Sequence, residues 1–159
     1  MENIEQEHGK NQASGKMEDI RQMVDRLEHA RECDRNDCKL SNVEILNGLN
    51  IYGESATEEQ RELYHDVDDA LQQISEFPLS LQFRSGWHNY GEEPKDAEFE
   101  IELCTGGPAV RIVGELDSEG EPCRAWLEYQ DWEIPWTQYF GEKGDNEYVL
   151  EIASELIAK

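Results

Sequence analysis

Residues 98–129 read EFEIELCTGGPAVRIVGELDSEGEPCRAWLEY, and their two-residue period decides the fold. Phe99, Ile101 and Leu103 alternate with Glu98, Glu100 and Glu102, the signature of a strand with one buried and one wet face. Val110, Ile112 and Leu116 then alternate with Arg111 and Glu115. Cys123, Ala125, Leu127 and Tyr129 alternate with Arg124, Trp126 and Glu128. Thr105-Gly106-Gly107-Pro108 and Asp117-Ser118-Glu119-Gly120 are tight-turn sequences, so these three strands form an antiparallel meander.

Working upstream, Leu79, Leu81 and Phe83 alternate with Ser80, Gln82 and Arg84, which adds a first strand joined through a long hairpin loop from Gly86 to Asp96. The expectation is a sheet of four strands, each with one face buried. On the wet face the glutamates are expected opposite Arg111 and either Arg84 or Arg124, where cross-strand opposite charges are stabilising. Downstream, Asp131 to Phe140 is aromatic around Pro135, and a proline argues against a central strand. That segment reads as a loop or edge packed over one end of the sheet. A final helix from Asn146 presents Val149, Ile152, Ala153, Leu156 and Ile157 to the sheet.

Helical spacing governs the amino-terminal half. Ile20, Met23, Val24, Leu27 and Ala30 form one stripe, a second helical stretch runs from Ser41 to about Gly53, and Ser55 with Glu58 makes a capping box. Leu63, Val67, Ala70, Leu71 and Ile74 continue that last helix until Pro78 stops it. The first fifteen residues are polar, contain Gly9 and Gly15, and read as a disordered leader. The organisation expected is thus a leader over 1–15, a helical segment over 16–53 and an α+β domain over 54–159.

Charge supplies the main functional clue. The chain carries 37 acidic residues against 14 Lys and Arg, a net charge of −23. Residues 1–40 hold ten acids and seven bases, whereas residues 41–159 hold twenty-seven acids and seven bases, so the surplus lies on the part expected to fold. Such a field repels nucleic acid and anionic membranes and attracts basic surfaces, including the grooves in which other proteins hold DNA or RNA. The sequence has no apolar run long enough to span a bilayer and its start has no apolar signal core, which places the expected site of action in the cytoplasm.

No pattern in the chain commits it to catalysis, and no enzyme activity or cofactor is expected. Cys104 with His65 or His88 as base lacks any activating motif, and an acidic surround raises a thiol pKa. Gly106-Gly107 precedes a strand instead of a helix, unlike a phosphate cradle. His29, Cys33 and Cys38 are spaced H-x3-C-x4-C without a C-x2-C knuckle, and read as helix-surface thiols in preference to a metal site. The carboxylate rows Asp66, Asp68, Asp69 and Glu98, Glu100, Glu102 lack a calcium-loop pattern. Trp87, Trp126, Trp132 and Trp136 sit among too much acid for a base-stacking platform, and serve either the core or a protein-binding patch.

The stretch from Ser85 to Phe140 resembles small uncharacterised proteins of phages, prophages and mobile elements. Ser85-Gly86-Trp87-His88, Leu103-Cys104-Thr105-Gly106-Gly107-Pro108-Ala109-Val110-Arg111-Ile112, Tyr129-Gln130-Asp131-Trp132 and Pro135-Trp136-Thr137 carry the likeness. The resemblance implies a mobile-element origin and assigns no catalytic residue. Anti-CRISPR and antirestriction inhibitors, some of which mimic DNA, are similar in size and charge alone. The leading expectation is an inhibitor that blocks the basic nucleic-acid channel of a CRISPR effector or restriction enzyme without turnover and without binding nucleic acid itself. Its expected contacts are Glu58, Glu59, Glu62, Asp66, Asp68 and Asp69 on the acidic helix and Glu92, Glu93, Asp96, Glu98, Glu100 and Glu102 along the loop and strand. The alternative is an interaction module that grips a partner through Trp132 and Trp136, with acidity serving solubility.

Overall fold

The computed structural model describes residues 4–35, 64–132 and 134–158. Along them run α1 (Ile4–Arg35), α2 (Val67–Glu76), β1 (Ser80–Ser85), β2 (Asp96–Cys104), β3 (Ala109–Leu116), β4 (Pro122–Asp131), β5 (Ile134–Gln138) and α3 (Asp145–Ile157). The class is α+β, with an antiparallel meander in the order β1-β2-β3-β4-β5. The sheet therefore has five strands where the sequence pattern counted four. The extra one is the aromatic segment, which pairs Thr137 with Tyr129 and Ile134 with Asp131. Pro135 is accommodated because β5 is an edge, where one row of N–H groups needs no strand partner.

Register explains the core. Ile101 pairs with Ile112 and Ile112 with Leu127, while Val110 pairs with Tyr129, so all five side chains share one face and are buried. Helices α1 and α3 lie over β3 and β4, and α2 packs against α1 and α3. Val149, Ile152, Ala153 and Leu156 of α3 are buried as the sequence pattern required. Because the helices gather over the β3–β4 half, β1 does not have the buried face expected of it. Every residue of β1 is exposed, and Phe83 retains 44% of its surface.

The amino-terminal expectation needs a larger correction. Residues 4–15, read as part of a disordered leader, belong to α1, a single helix of 32 residues. Ala13 and Met17 extend the stripe of Ile20, Val24, Leu27 and Ala30, and all six are at most 1% exposed. Gly9 is buried where the helix crosses β4, and a Cβ there would lie 2.9 Å from Cδ2 of Tyr129. The glycine that suggested disorder is a point of close helix–sheet approach. Polar contacts also join α1 to α3. Arg21 grips Asp145 with two bonds of 2.9 and 2.7 Å, the Tyr148 hydroxyl donates to Asp25 at 2.9 Å, and Arg31 meets Glu155 at 2.7 Å.

Helix α2 starts at Val67, with the Asp66 carboxylate capping the Asp69 N–H at 2.9 Å. Tyr64 and His65 form a turn before it, so the helix is not continuous through these residues. The Ser55–Glu58 capping box, Leu63 and the stretch from Ser41 to Gly53 lie outside the described residues. Among the described residues no helix is long and apolar enough to cross a membrane.

Candidate functional site

The sheet face away from the helices carries charges that largely answer one another. Arg84 Nε donates to Glu98 at 2.6 Å, and Arg124 meets Glu115 at 3.3 Å. Arg111 donates to Glu128 at 2.9 and 2.7 Å, faces Glu100 at 3.3 Å, and lies 4.0 Å from the ring centre of Trp136. The expected cross-strand pairs are thus present, with Arg84, Arg111 and Arg124 all taking part. The exposed Arg84–Glu98 and Arg124–Glu115 pairs contribute only about 0–1 kcal/mol each, whereas Arg111 and Glu128 are half-buried. Their larger effect is on the field: Glu98 and Glu100 are partly neutralised, and Glu102 stands opposite Arg111 and Ser80 in the register.

Acid without such answers gathers at one end of the sheet. The β1–β2 loop and the β3–β4 turn border one open cleft of about 720 Å³, where Glu92, Glu93 and Asp96 meet Asp117 and Glu119, with Lys95 as the lining cation. Asp117 shapes its turn by accepting from the N–H groups of Glu119 and Glu121 at 2.9 and 3.0 Å. Trp87 lines the same cleft and, like Tyr90 of the same loop, is fully exposed. Large exposed aromatics are costly in water and commonly mark surfaces that a partner covers. Sequence patterning found the loop carboxylates but read Asp117 and Glu119 only as turn residues, since nothing local to either segment tells that hairpin ends meet.

The other expected contacts are dispersed. Asp66 serves as the α2 cap, Asp69 meets the buried Arg26 at 2.5 Å, and Asp68 is exposed in the first turn. Glu58, Glu59 and Glu62 lie outside the described residues. Trp132 projects from the β4–β5 turn, 85% exposed, above Gly107, where a Cβ would come within 2.2 Å of its Nε1. Trp136 instead lies on the open face against Arg111, so the two indoles of the expected aromatic patch are held by different neighbours.

No family model, curated protein or solved structure matches the chain. The site's own chemistry therefore carries the functional argument. Cys104 is the last residue of β2 and His88 lies in the loop before its first, with nine residues of about 3.3 Å each between the two ends, so the structure does not bring them together.

A second constellation lies where α1 meets the turn before α2. His29 and Cys33 are one helical turn apart on α1, and His65 joins them from the turn. His29 Nε2 is 3.0 Å from His65 Nδ1, and the Cys33 sulfur is 3.4 and 3.7 Å from those same nitrogens. Burial, then the neighbouring His65, lowers the pKa of His29; burial, then the Arg26 cation, lowers that of His65. Cys33 and His29 are therefore not isolated helix-surface groups. The H-x3-C run signalled two of the three, but His65 is 32 residues beyond Cys33, and only the chain's path brings it in. Cys38, the last residue of that sequence run, lies outside the described residues.

Proposed function

We propose that this chain is a non-catalytic, phage-type inhibitor that occupies a Lys/Arg-lined nucleic-acid channel of a host defence complex, a CRISPR effector or restriction enzyme, through the acidic end of its sheet. One observation carries the reading: Glu92, Glu93, Asp96, Asp117 and Glu119 converge on one cleft beside the fully exposed Trp87 and Tyr90. Carboxylates there meet guanidinium and ammonium groups that otherwise hold phosphate, and the aromatic faces accept cation–π contacts from the same groups. A net charge of −23 steers the protein toward such a channel and away from nucleic acid itself. The inhibitor acts in this reading by occlusion, in the cytoplasm of the infected host.

The test is competition. Purified effector complexes and restriction enzymes are titrated with the protein while their binding to labelled DNA is followed. Loss of DNA binding that is weakened by Glu92→Gln, Glu93→Gln and Glu119→Gln supports the proposal. A second reading, an aromatic interaction module in which acidity serves only solubility, is favoured by the exposure of Trp87 and Tyr90. It requires that the three amide variants bind as wild type and that Trp87→Ala alone abolishes binding.

A further inference from the structure

The geometry points to a zinc site built by His29, Cys33 and His65, which pins the last turns of α1 to the turn preceding α2. A tetrahedral zinc ion with bonds of about 2.05 Å to nitrogen and about 2.3 Å to sulfur holds two nitrogens about 3.3 Å apart, and nitrogen and sulfur about 3.6 Å apart. The observed edges are 3.0 Å between the nitrogens and 3.4 and 3.7 Å from sulfur to nitrogen. All three edges thus lie within about 0.3 Å of the separations one tetrahedral ion imposes.

Hydrogen bonding among the three groups accounts for this triangle less well. Each imidazole nitrogen is either donor or acceptor, and the thiol has one hydrogen, so at most two of the three contacts receive a hydrogen of their own. A cation at the centre satisfies all three lone pairs together. One thiolate with two neutral imidazoles is a borderline-soft set that suits zinc, whereas calcium and magnesium require oxygen. His29 and Cys33 are preset on one face of a rigid helix, and the ring centres of His29 and His65 lie 5.1 Å apart. The three groups are half-buried, so the ion would be reached from solvent at the molecular surface. One coordination position remains for a fourth ligand beyond these three.

The full-length protein, purified in reductant and stripped with chelator, is titrated with Zn2+ and, separately, with Co2+. The expected result is one zinc per chain, and a cobalt spectrum with strong tetrahedral d–d bands and a thiolate-to-metal charge-transfer band. His65→Gln and Cys33→Ser lose stoichiometric zinc binding, and Cys33→Ser loses the thiolate band, while Cys123→Ser, at an exposed thiol elsewhere, changes neither. A wild-type protein that takes up no zinc, or a weak octahedral cobalt spectrum without a thiolate band, overturns the site. Retention of zinc and spectrum by His65→Gln overturns it as well. The cobalt spectrum is read on the wild-type chain, so the test does not depend on how the variants fold.

Discussion

Gly9 shows how one residue reverses a sequence reading. A glycine inside a helix is unfavourable relative to alanine by about 1 kcal/mol, so Gly9→Ala gains that much in helix propensity. Against it stands the 2.9 Å approach to the buried Tyr129 ring, and overpacking of this kind costs about 1–3 kcal/mol. Gly9→Ala is expected to destabilise the fold in urea titration. Gly15 has nothing within 4 Å of its Cβ position, so Gly15→Ala is expected to stabilise by up to about 1 kcal/mol in the same measurement. Equal effects of the two would place the helix elsewhere. Arg26 is the other decisive residue. It is fully buried, donates to Asp69 and Gln73 at 2.5 Å each and to the Tyr64 carbonyl at 3.4 Å, and so joins α1 to α2 and its preceding turn. Asp69 keeps 29% of its side-chain surface and can rehydrate once Arg26 is removed, so Arg26→Met is expected to lower unfolding free energy by about 1–3 kcal/mol.

Between elements, the α1–α3 contact carries a pH dependence. Glu151 is pushed up to about 7 from its ordinary 4.5, first by burial and then by its contact with Glu28. The folded state therefore binds this proton more tightly than the unfolded chain. Its contribution to stability is complete below about pH 4.5 and is lost as pH rises through about 7. Melting temperature measured from pH 5 to 8 should fall less in Glu151→Gln than in wild type; parallel curves would contradict the shift. The legibility of elements in the sequence followed the same local-versus-tertiary division. Period-two alternation located β1 to β4 because each residue reports its own face. It missed β5, where Pro135 and a run of aromatics hide the alternation, and it assigned β1 a buried face that depends on where the helices lie. The start of α1 was hidden by two glycines, although Ala13 and Met17 continued its stripe. The loop acids Glu92, Glu93 and Asp96 were legible; their union with Asp117, and that of His65 with Cys33, depends on the fold.

For the whole molecule, two consequences separate metal from charge. If zinc ties α1 to the turn before α2, chelation lowers the melting temperature and added zinc restores it, since a ligand bound only by the folded state stabilises by mass action. That response is expected to vanish in Cys33→Ser. The acidic field acts outward instead. Sheet glutamates are largely answered by Arg84, Arg111 and Arg124, which leaves the end bordered by Glu92, Glu93, Asp96 and Glu119 as the surface we propose for a basic partner. The most direct test is the salt dependence of affinity for an effector complex or restriction enzyme that the protein inhibits. Wild-type affinity is expected to fall steeply as salt rises, and the slope of log K against log salt should flatten when those four carboxylates become amides. A wild-type slope near zero, or one unchanged by the four substitutions, would contradict the account.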